Sequence, residues 1–174
     1  MTTTGIDFTA LSLRDALDLG ILIEEEAAER YRELASQMQL HHTAEAAAFF
    51  RFMVGNEEAH RAQLAGQRST LFGNEPATVT RAMLWDVEAP EYDEVRASMT
   101  QRQALEVARR SEEKAFEFFV TALPSVSDPK VKRLLEDLRD EEVEHKRLLD
   151  VQLAKLPPDP DVDPSDYEDE PVAQ

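Results

Sequence analysis

The sequence predicts an all-α protein, an antiparallel four-helix bundle with one long crossover between the second and third helices. Three observations predict this fold. Residues 12–155 are rich in Ala, Leu, Glu and Arg, four helix-start signals divide the segment, and apolar residues recur at steps of three and four in each part. We expect an N-terminal extension over 1–11, the bundle over 12–155, and an acidic, proline-rich mobile tail over 156–174.

The first helical hairpin is predicted from two capping positions. Ser12 lies three residues before Asp15, and Thr43 directly precedes a run rich in Ala and Glu. Ser and Thr at such positions accept hydrogen bonds from the free N–H groups of a first helical turn. The helices of this hairpin are predicted over 12–39 and 43–67.

The second hairpin begins with two strong start signals. Thr100 and Gln103 have the spacing of a capping box. Asp128 precedes Pro129, and proline is favoured at the first position of a helix because it has no N–H group to leave unbonded. The helices of this hairpin are predicted over 100–123 and 128–155.

The connection between the hairpins, roughly residues 66–99, is predicted to cross the length of the bundle. If the two hairpins are related by a pseudo-twofold axis, the second and third helices run parallel, and a short turn cannot join them. The connection contains Leu84, Trp85 and Val87, which need cover from water. Trp85 either caps the bundle or lies in a dimer contact.

Each predicted helix has an apolar face that is interrupted at one level. The first and third helices carry a single Glu there, whereas the second and fourth carry Glu-x-x-His. The second hairpin repeats the pattern of the first at offsets of 88, 85 and 85 residues. The interrupting residues are Glu24, Glu57, His60, Glu112, Glu142 and His145.

This arrangement predicts a metal centre. Four carboxylates that converge inside a bundle repel one another and are costly to bury, so they require an opposing charge. Residues three apart on a helix can direct an oxygen and a nitrogen to one point. Six such ligands suit two ions, each with one His and one terminal Glu, and with two Glu bridging. We predict two iron ions, with manganese as an alternative, and we interpret neighbouring acids such as Glu141 as solvated.

Tyr31 is the predicted catalytic side chain. It lies seven residues after Glu24 on the same helical face. Its hydroxyl is placed to steady a ligand carboxylate or to quench a radical, and the alternative is that its ring fills the core. Gly20 and Ala27 flank Glu24; they either permit close helix packing or leave space for a ligand on the metals.

The charge of the chain excludes several classes of partner. Against 19 Lys and Arg stand 36 Asp and Glu, a formal net charge of -17, so nucleic acid and anionic membrane surfaces would be repelled. With no cysteine, disulfides and thiolate-bound metals are excluded. The sequence shows no signal peptide or membrane span, and we expect a cytoplasmic protein. The acidic tail is interpreted as solubilising or as a docking segment for a partner protein.

The four predicted helices together resemble the ferritin-like superfamily, and in particular the di-iron domain of the rubrerythrin family. The segments that carry the resemblance are LSLRDALDLGILIEEEAAERYRELA with Glu24 and Tyr31, AAAFFRFMVGNEEAHRAQL with Glu57 and His60, ALEVARRSEEKAFEFF with Glu112, and VKRLLEDLRDEEVEHKRLL with Glu142 and His145. The resemblance implies a ferritin-like bundle that holds two iron ions.

It also implies a di-iron oxidoreductase that reduces peroxide or O2 with electrons from ferrous iron or an external donor. Two features depart from the family: the sequence offers no cysteine for a rubredoxin-type iron, so the donor is expected to be external, and Ala115 stands where many members have an extra carboxylate. The alternatives are an iron-sequestering or iron-delivery protein with ferroxidase activity, and a hydroxylase. We further expect a homo-oligomer, a dimer or larger.

Overall fold

The computed structural model describes residues 6–84 and 99–157. Within these ranges the all-α prediction is confirmed, and none of the helices there combines the length and apolarity needed to cross a membrane. The long helices are α1 (Leu13–Leu40), α2 (Ala44–Phe72), α3 (Gln101–Ala122) and α4 (Pro129–Leu153). Short 3-10 turns lie at Arg81–Met83 and Leu123–Ser125.

Three of the predicted helix starts are confirmed by their caps. The Ser12 hydroxyl accepts a hydrogen bond from the backbone N–H of Asp15 at 3.1 Å. Thr100 and Gln103 form a reciprocal capping box at the start of α3. The Asp128 carboxylate accepts from two N–H groups in the first turn of α4. Each cap satisfies donors that the helix itself leaves unbonded.

The turn between α1 and α2 differs from the prediction, because the Thr43 side chain does not cap α2. Its hydroxyl donates to the carbonyl of Met38 at 2.8 Å and so closes the end of α1. The preceding residue, His42, has a φ of 57°, in the left-handed region that allows the chain to reverse quickly. The geometry of this short turn therefore decides the use of the Thr43 hydroxyl.

The second helix also continues past its predicted end at residue 67, to Phe72. Gly66 lies inside the helix, and Gly73 ends it with a φ of 57° that favours glycine. The added turns are held against α1, because the Arg68 guanidinium donates to the Asp18 carboxylate at 2.8 Å. Arg68 also donates to the carbonyl of Gly73 at 2.9 Å.

Two apolar clusters fill opposite ends of the bundle and give the helix directions. One cluster joins the start of α1, the end of α2, the end of α3 and the start of α4. It includes Leu17, Leu64, Phe119 and Leu135. The other cluster joins the opposite ends of the four helices. It includes Met38, Phe50, Leu105 and Leu149. The helices of each hairpin are therefore antiparallel, whereas α2 and α3 run parallel, as predicted.

The chain between α2 and α3 passes from the first cluster to the second. Leu84 is buried in the first cluster, and Met99 is buried in the second. Along this path the Arg81 guanidinium donates to the Glu29 carboxylate of α1 at 2.8 and 3.0 Å. The predicted crossover is confirmed by these contacts.

The segments outside the bundle are described only in part. Phe8 of the N-terminal extension packs on the first cluster, with its ring edge-on to that of Phe118 at 5.4 Å between centroids. Trp85 and Val87 of the crossover lie outside the described residues, as does the predicted tail beyond residue 157.

Candidate metal centre

Between the two apolar clusters lies a layer of polar side chains in the bundle interior. One glutamate comes from each helix, and each of the four is only 1–5% exposed. His145 is buried to the same degree, whereas the His60 side chain is 27% exposed. The layer contains Glu24 from α1, Glu57 and His60 from α2, Glu112 from α3, and Glu142 and His145 from α4. The structure therefore brings together all six side chains that interrupt the apolar faces of the predicted helices.

The group around His145 is enclosed by protein. The Nδ1 atom of His145 lies 3.3 Å from Glu57 Oε1, 3.6 Å from Glu112 Oε2 and 4.0 Å from Glu142 Oε2. These carboxylates come from three different helices. One imidazole nitrogen thus faces three carboxylates that are withdrawn from water.

The group around His60 lies nearer to solvent and includes Glu141, which is not among the six predicted ligands. His60 Nδ1 lies 3.8 Å from Glu24 Oε2 and 3.7 Å from Glu141 Oε2. Glu141 was predicted to be solvated, but its side chain is only 33% exposed and faces the site. The sequence contains a sign of this partly inward position. Glu141 lies three residues after Leu138 and four before His145, which places it at the edge of the buried face.

The spacing of these atoms suits ligands of a common ion. Most of the distances between imidazole nitrogen and carboxylate oxygen exceed normal hydrogen-bond lengths. Two ligands that each lie about 2.1 Å from one ion are about 3–4.2 Å apart, depending on the angle at the ion. The observed range of 3.3–4.0 Å falls inside that interval. Glu57 offers an oxygen within 4.8 Å of a nitrogen atom of both His60 and His145.

The electrostatics of the metal-free layer favour the metal-binding forms of His60 and Glu112 but not of His145. Burial lowers the pKa of His60, and the neighbouring charge of His145 lowers it further, which favours the neutral imidazole that binds metals. Burial raises the pKa of Glu112, but its interactions with Glu142 and His145 and the charge of Arg30 outweigh burial, so that its net pKa is lowered. Glu112 is therefore held as a carboxylate. Burial lowers the pKa of His145, but its hydrogen bond to Glu112 and the surrounding acidic charge outweigh burial and raise that pKa, so a metal ion has to displace a proton there.

Tyr31 and Arg30 support Glu112 from the end of the layer next to the second apolar cluster. The fully buried Tyr31 hydroxyl donates a hydrogen bond to Glu112 Oε1. Burial and the charge of Glu112 raise the pKa of Tyr31 well above its ordinary value, so the hydroxyl keeps its proton and remains a donor. Arg30 is also buried, although its sequence position does not indicate this. It directly precedes Tyr31 and therefore lies off the apolar face predicted for the first helix.

The small residue Gly20 serves close packing. A Cβ atom added there would lie 3.1 Å from Leu64 and 3.2 Å from Leu138, so leucines of α2 and α4 fill the space beside the glycine. Of the two interpretations of Gly20, this geometry favours helix packing over space for an exogenous ligand.

Comparison with known proteins gives this architecture a family. Residues 15–153 match the model of the Rubrerythrin family. The chain belongs to the rubrerythrin family. It is also similar to an uncharacterized conserved protein from Magnetospirillum magnetotacticum MS-1, whose crystal structure superposes with a TM-score of 0.71. The two share 33% identity over 87% of this chain and 99% of that one. A comparison with curated proteins finds no match.

Rubrerythrins typically bind a di-iron centre, and the donors of this chain fit such a centre. Buried carboxylates from four helices and two imidazoles supply the hard oxygen and nitrogen ligands that iron and manganese accept. Nearby positive charge from Arg30 offsets only part of the acidic charge in the layer. Cations bound between the carboxylates would offset the rest.

Proposed function

We propose that this rubrerythrin is a di-iron oxidoreductase that reduces peroxide or O2, with electrons from ferrous iron or from an external donor. The observation that carries the proposal is the buried layer of four carboxylates and two imidazoles, whose atoms are spaced as ligands of shared ions. Family membership supports the same chemistry.

When bound, the two iron ions supply one electron each to the O–O bond and act as Lewis acids toward the negative charge that develops. Reduction of peroxide to two waters consumes these two electrons and two protons, and reduction of O2 by the same two electrons and two protons gives peroxide. Glu24 and His60 would hold one ion, and Glu112, Glu142 and His145 would hold the other, while Glu57 lies within reach of both imidazoles. Oxygen-rich ligands favour the higher oxidation state of iron.

The remaining side chains position these ligands and restrict water. The hydrogen bond from Tyr31 fixes the Glu112 carboxylate, and the short reach of a rigid phenol limits its movement. Tyr31 is therefore a positioning residue for the centre, and its ring stacks on that of Phe50 at 6.0 Å. Apolar clusters on both sides exclude bulk water, so solvent, protons and a small oxidant reach the layer from the His60 side.

A second candidate function is iron sequestration or delivery with ferroxidase activity. The observation that favours it is the partly exposed pair of His60 and Glu141, which offers a route for Fe²⁺ from solvent. In that case the bound iron is the cargo. The two functions differ in whether oxidised iron stays in the layer and is reduced again by a donor.

The proposal is tested by loading the protein anaerobically with two equivalents of Fe²⁺ and mixing it in a stopped-flow instrument with O2 or with peroxide. We expect the near-ultraviolet absorbance of ferric iron to rise faster than for free Fe²⁺ in the same buffer. Glu142→Ala should abolish the acceleration, whereas Glu58→Gln, at an exposed position, should leave it unchanged. If neither oxidant reacts faster than with free Fe²⁺, the oxidoreductase proposal is wrong, and passive iron binding is the better account.

A further inference from the structure

We propose that Glu141 is a seventh metal ligand, which binds the ion on the His60 side and makes the two metal positions unequal. The inference rests on the proposed function, because it concerns the same pair of ions. It assigns three ligands to about one turn of α4, Glu141, Glu142 and His145, which serve two different ions. It also separates a closed position around His145 from a solvent-facing position around His60.

The position of Glu141 on α4 directs it to the edge of the layer. It lies next to Glu142, but the helical rotation between consecutive residues turns the two carboxylates apart by about 100°. Glu142 remains inside the layer with a side chain 7% exposed, whereas Glu141 reaches toward α2. Because Glu141 and His60 come from different helices, their approach follows from bundle packing and not from local sequence.

The contacts of Glu141 are those of a ligand. Its Oε2 lies 3.7 Å from His60 Nδ1, beyond a normal hydrogen bond but within the spacing expected for two ligands of one ion. Atoms of Glu24, His60 and Glu141 all lie within 4.8 Å of one another. These are two carboxylates and one imidazole from three helices, a donor set that matches hard divalent cations.

Glu141 also differs from the acidic residues around it. Its neighbours on α4 form ion pairs with arginines of the same helix: Asp137 with Arg133, Asp140 with Arg139, and Glu144 with Arg147. Among the described residues, Glu141 forms no ion pair with a Lys or Arg side chain, and its carboxylate instead faces the imidazole of His60 at 3.7 Å. Its charge is thus directed to the centre, while the other acids are neutralised at the surface.

The consequence is a difference between the two metal positions. Around His145 the three carboxylate side chains are only 2–7% exposed, so exchange of that ion requires the bundle to open. Around His60 one ligand is a one-third exposed glutamate that can move into solvent without opening the bundle. An ion therefore enters and leaves on the Glu141 side, and loss of Glu141 weakens that position selectively.

The test is an anaerobic titration with Co²⁺, followed by calorimetry and by visible absorption, in which wild type is expected to bind two ions. Glu141→Gln should weaken one of the two positions at least about tenfold, the scale of perturbed metal sites, and leave the other unchanged. Glu144→Gln is the matched control, because it removes the same charge from an exposed position of the same helix. It should bind both ions as wild type does.

Two further variants separate a ligand from a remote charge. Glu141→Asp keeps the charge but withdraws the carboxylate by one methylene, so a ligand role predicts weakened binding in this variant also. In a His60→Ala protein, Glu141→Gln should have no additional effect, because both residues act on the same ion. Far-ultraviolet circular dichroism of all apo variants should match that of wild type, which establishes that the helical fold is unchanged.

Each outcome decides the proposal. Two-ion binding with wild-type affinities in Glu141→Gln overturns the seventh ligand and leaves the proposed di-iron function standing. Equal losses in Glu141→Gln and Glu144→Gln also overturn it, since they identify a long-range charge effect. A wild-type protein that does not bind two ions overturns both the seventh ligand and the proposed function.

Discussion

The buried glutamates should make the metal-free protein less stable while allowing it to bind metal. The variant Glu57→Leu tests this prediction. Glu57 is 1% exposed, and its carboxylate shares the layer with three other buried glutamates. Replacing a complete set of buried ionic groups by apolar residues often stabilises a protein by about 1–4 kcal/mol, whereas removing one partner of a buried pair destabilises it. Glu57 lies 3.3 Å from His145 but also among three other buried glutamates, and we expect the relief of their repulsion to outweigh the lost contact. Apo Glu57→Leu should therefore be more stable than apo wild type by about 1 kcal/mol, the lower end of that range. At this chain length each kcal/mol changes Tm by about 2–4 °C.

When metal is added, we expect wild type to become more stable than Glu57→Leu. An ion at 100 times its Kd stabilises the folded state by about 2.7 kcal/mol, and wild type should gain this for each ion that it binds. Glu57→Leu lacks the carboxylate nearest to His145 and should gain much less. The assay is anaerobic thermal unfolding with and without Fe²⁺ or Mn²⁺, followed by circular dichroism. The variant should melt above wild type without metal and below it with metal.

Glu58→Gln is the control, because Glu58 lies next to Glu57 on α2 but is exposed and pairs with Arg32. Its Tm should change by no more than a surface substitution allows in either condition. Apo Glu57→Leu that is less stable than apo wild type would refute the reasoning, since it would show that protein groups alone stabilise this buried carboxylate. An undiminished gain on adding metal would equally refute it.

Three further predictions concern the surroundings of the layer. Tyr31→Phe removes the hydrogen bond to the buried Glu112 carboxylate and should destabilise the apo protein by about 1.5–3 kcal/mol in urea unfolding; no change would contradict the contact. Gly20→Val inserts side-chain atoms where a Cβ is already crowded and should cost about 1–3 kcal/mol, and a more stable variant would show that the neighbouring leucines yield. Partial burial raises the pKa of Asp15, but hydrogen bonds, first of all from Ser12, lower it on balance below 3.8. The stability that wild type holds over Asp15→Asn should therefore be present above pH 4 and disappear as the pH falls through the lowered pKa, and a difference constant from pH 7 to pH 3 would contradict this.

Much of the fold could be predicted from the sequence because its signals are local and repeated. The caps at Ser12, Thr100 and Asp128 depend on residues within one helical turn, and the structure confirms them. The parallel course of α2 and α3 followed from the repeated hairpin pattern. The end of α2 could not be predicted, because the contact between Arg68 and Asp18 that holds its last turns joins two helices.

The candidate site also contains residues that the sequence predicts and residues that it does not predict. The layer residues lie on apolar faces that a periodicity of three and four identifies, so their convergence could be anticipated. Steps of three and four also relate Glu141 to Leu138 and His145, but Glu141 lies at the edge of its face and Arg30 lies off the face of α1, so periodicity alone did not show that either turns inward. Whether such a residue turns inward depends on the neighbouring helix. The partner of the Tyr31 hydroxyl, Glu112 on α3, is likewise set by the packing of α1 against α3.

The central claim is that this rubrerythrin holds two metal ions within the buried layer. The most direct measurement is a crystal structure of protein loaded anaerobically with Fe²⁺, with anomalous diffraction recorded on both sides of the iron absorption edge. The account predicts two iron peaks inside the bundle, one next to His145 and one next to His60. A single peak, or iron found only at acidic surface positions, would contradict it.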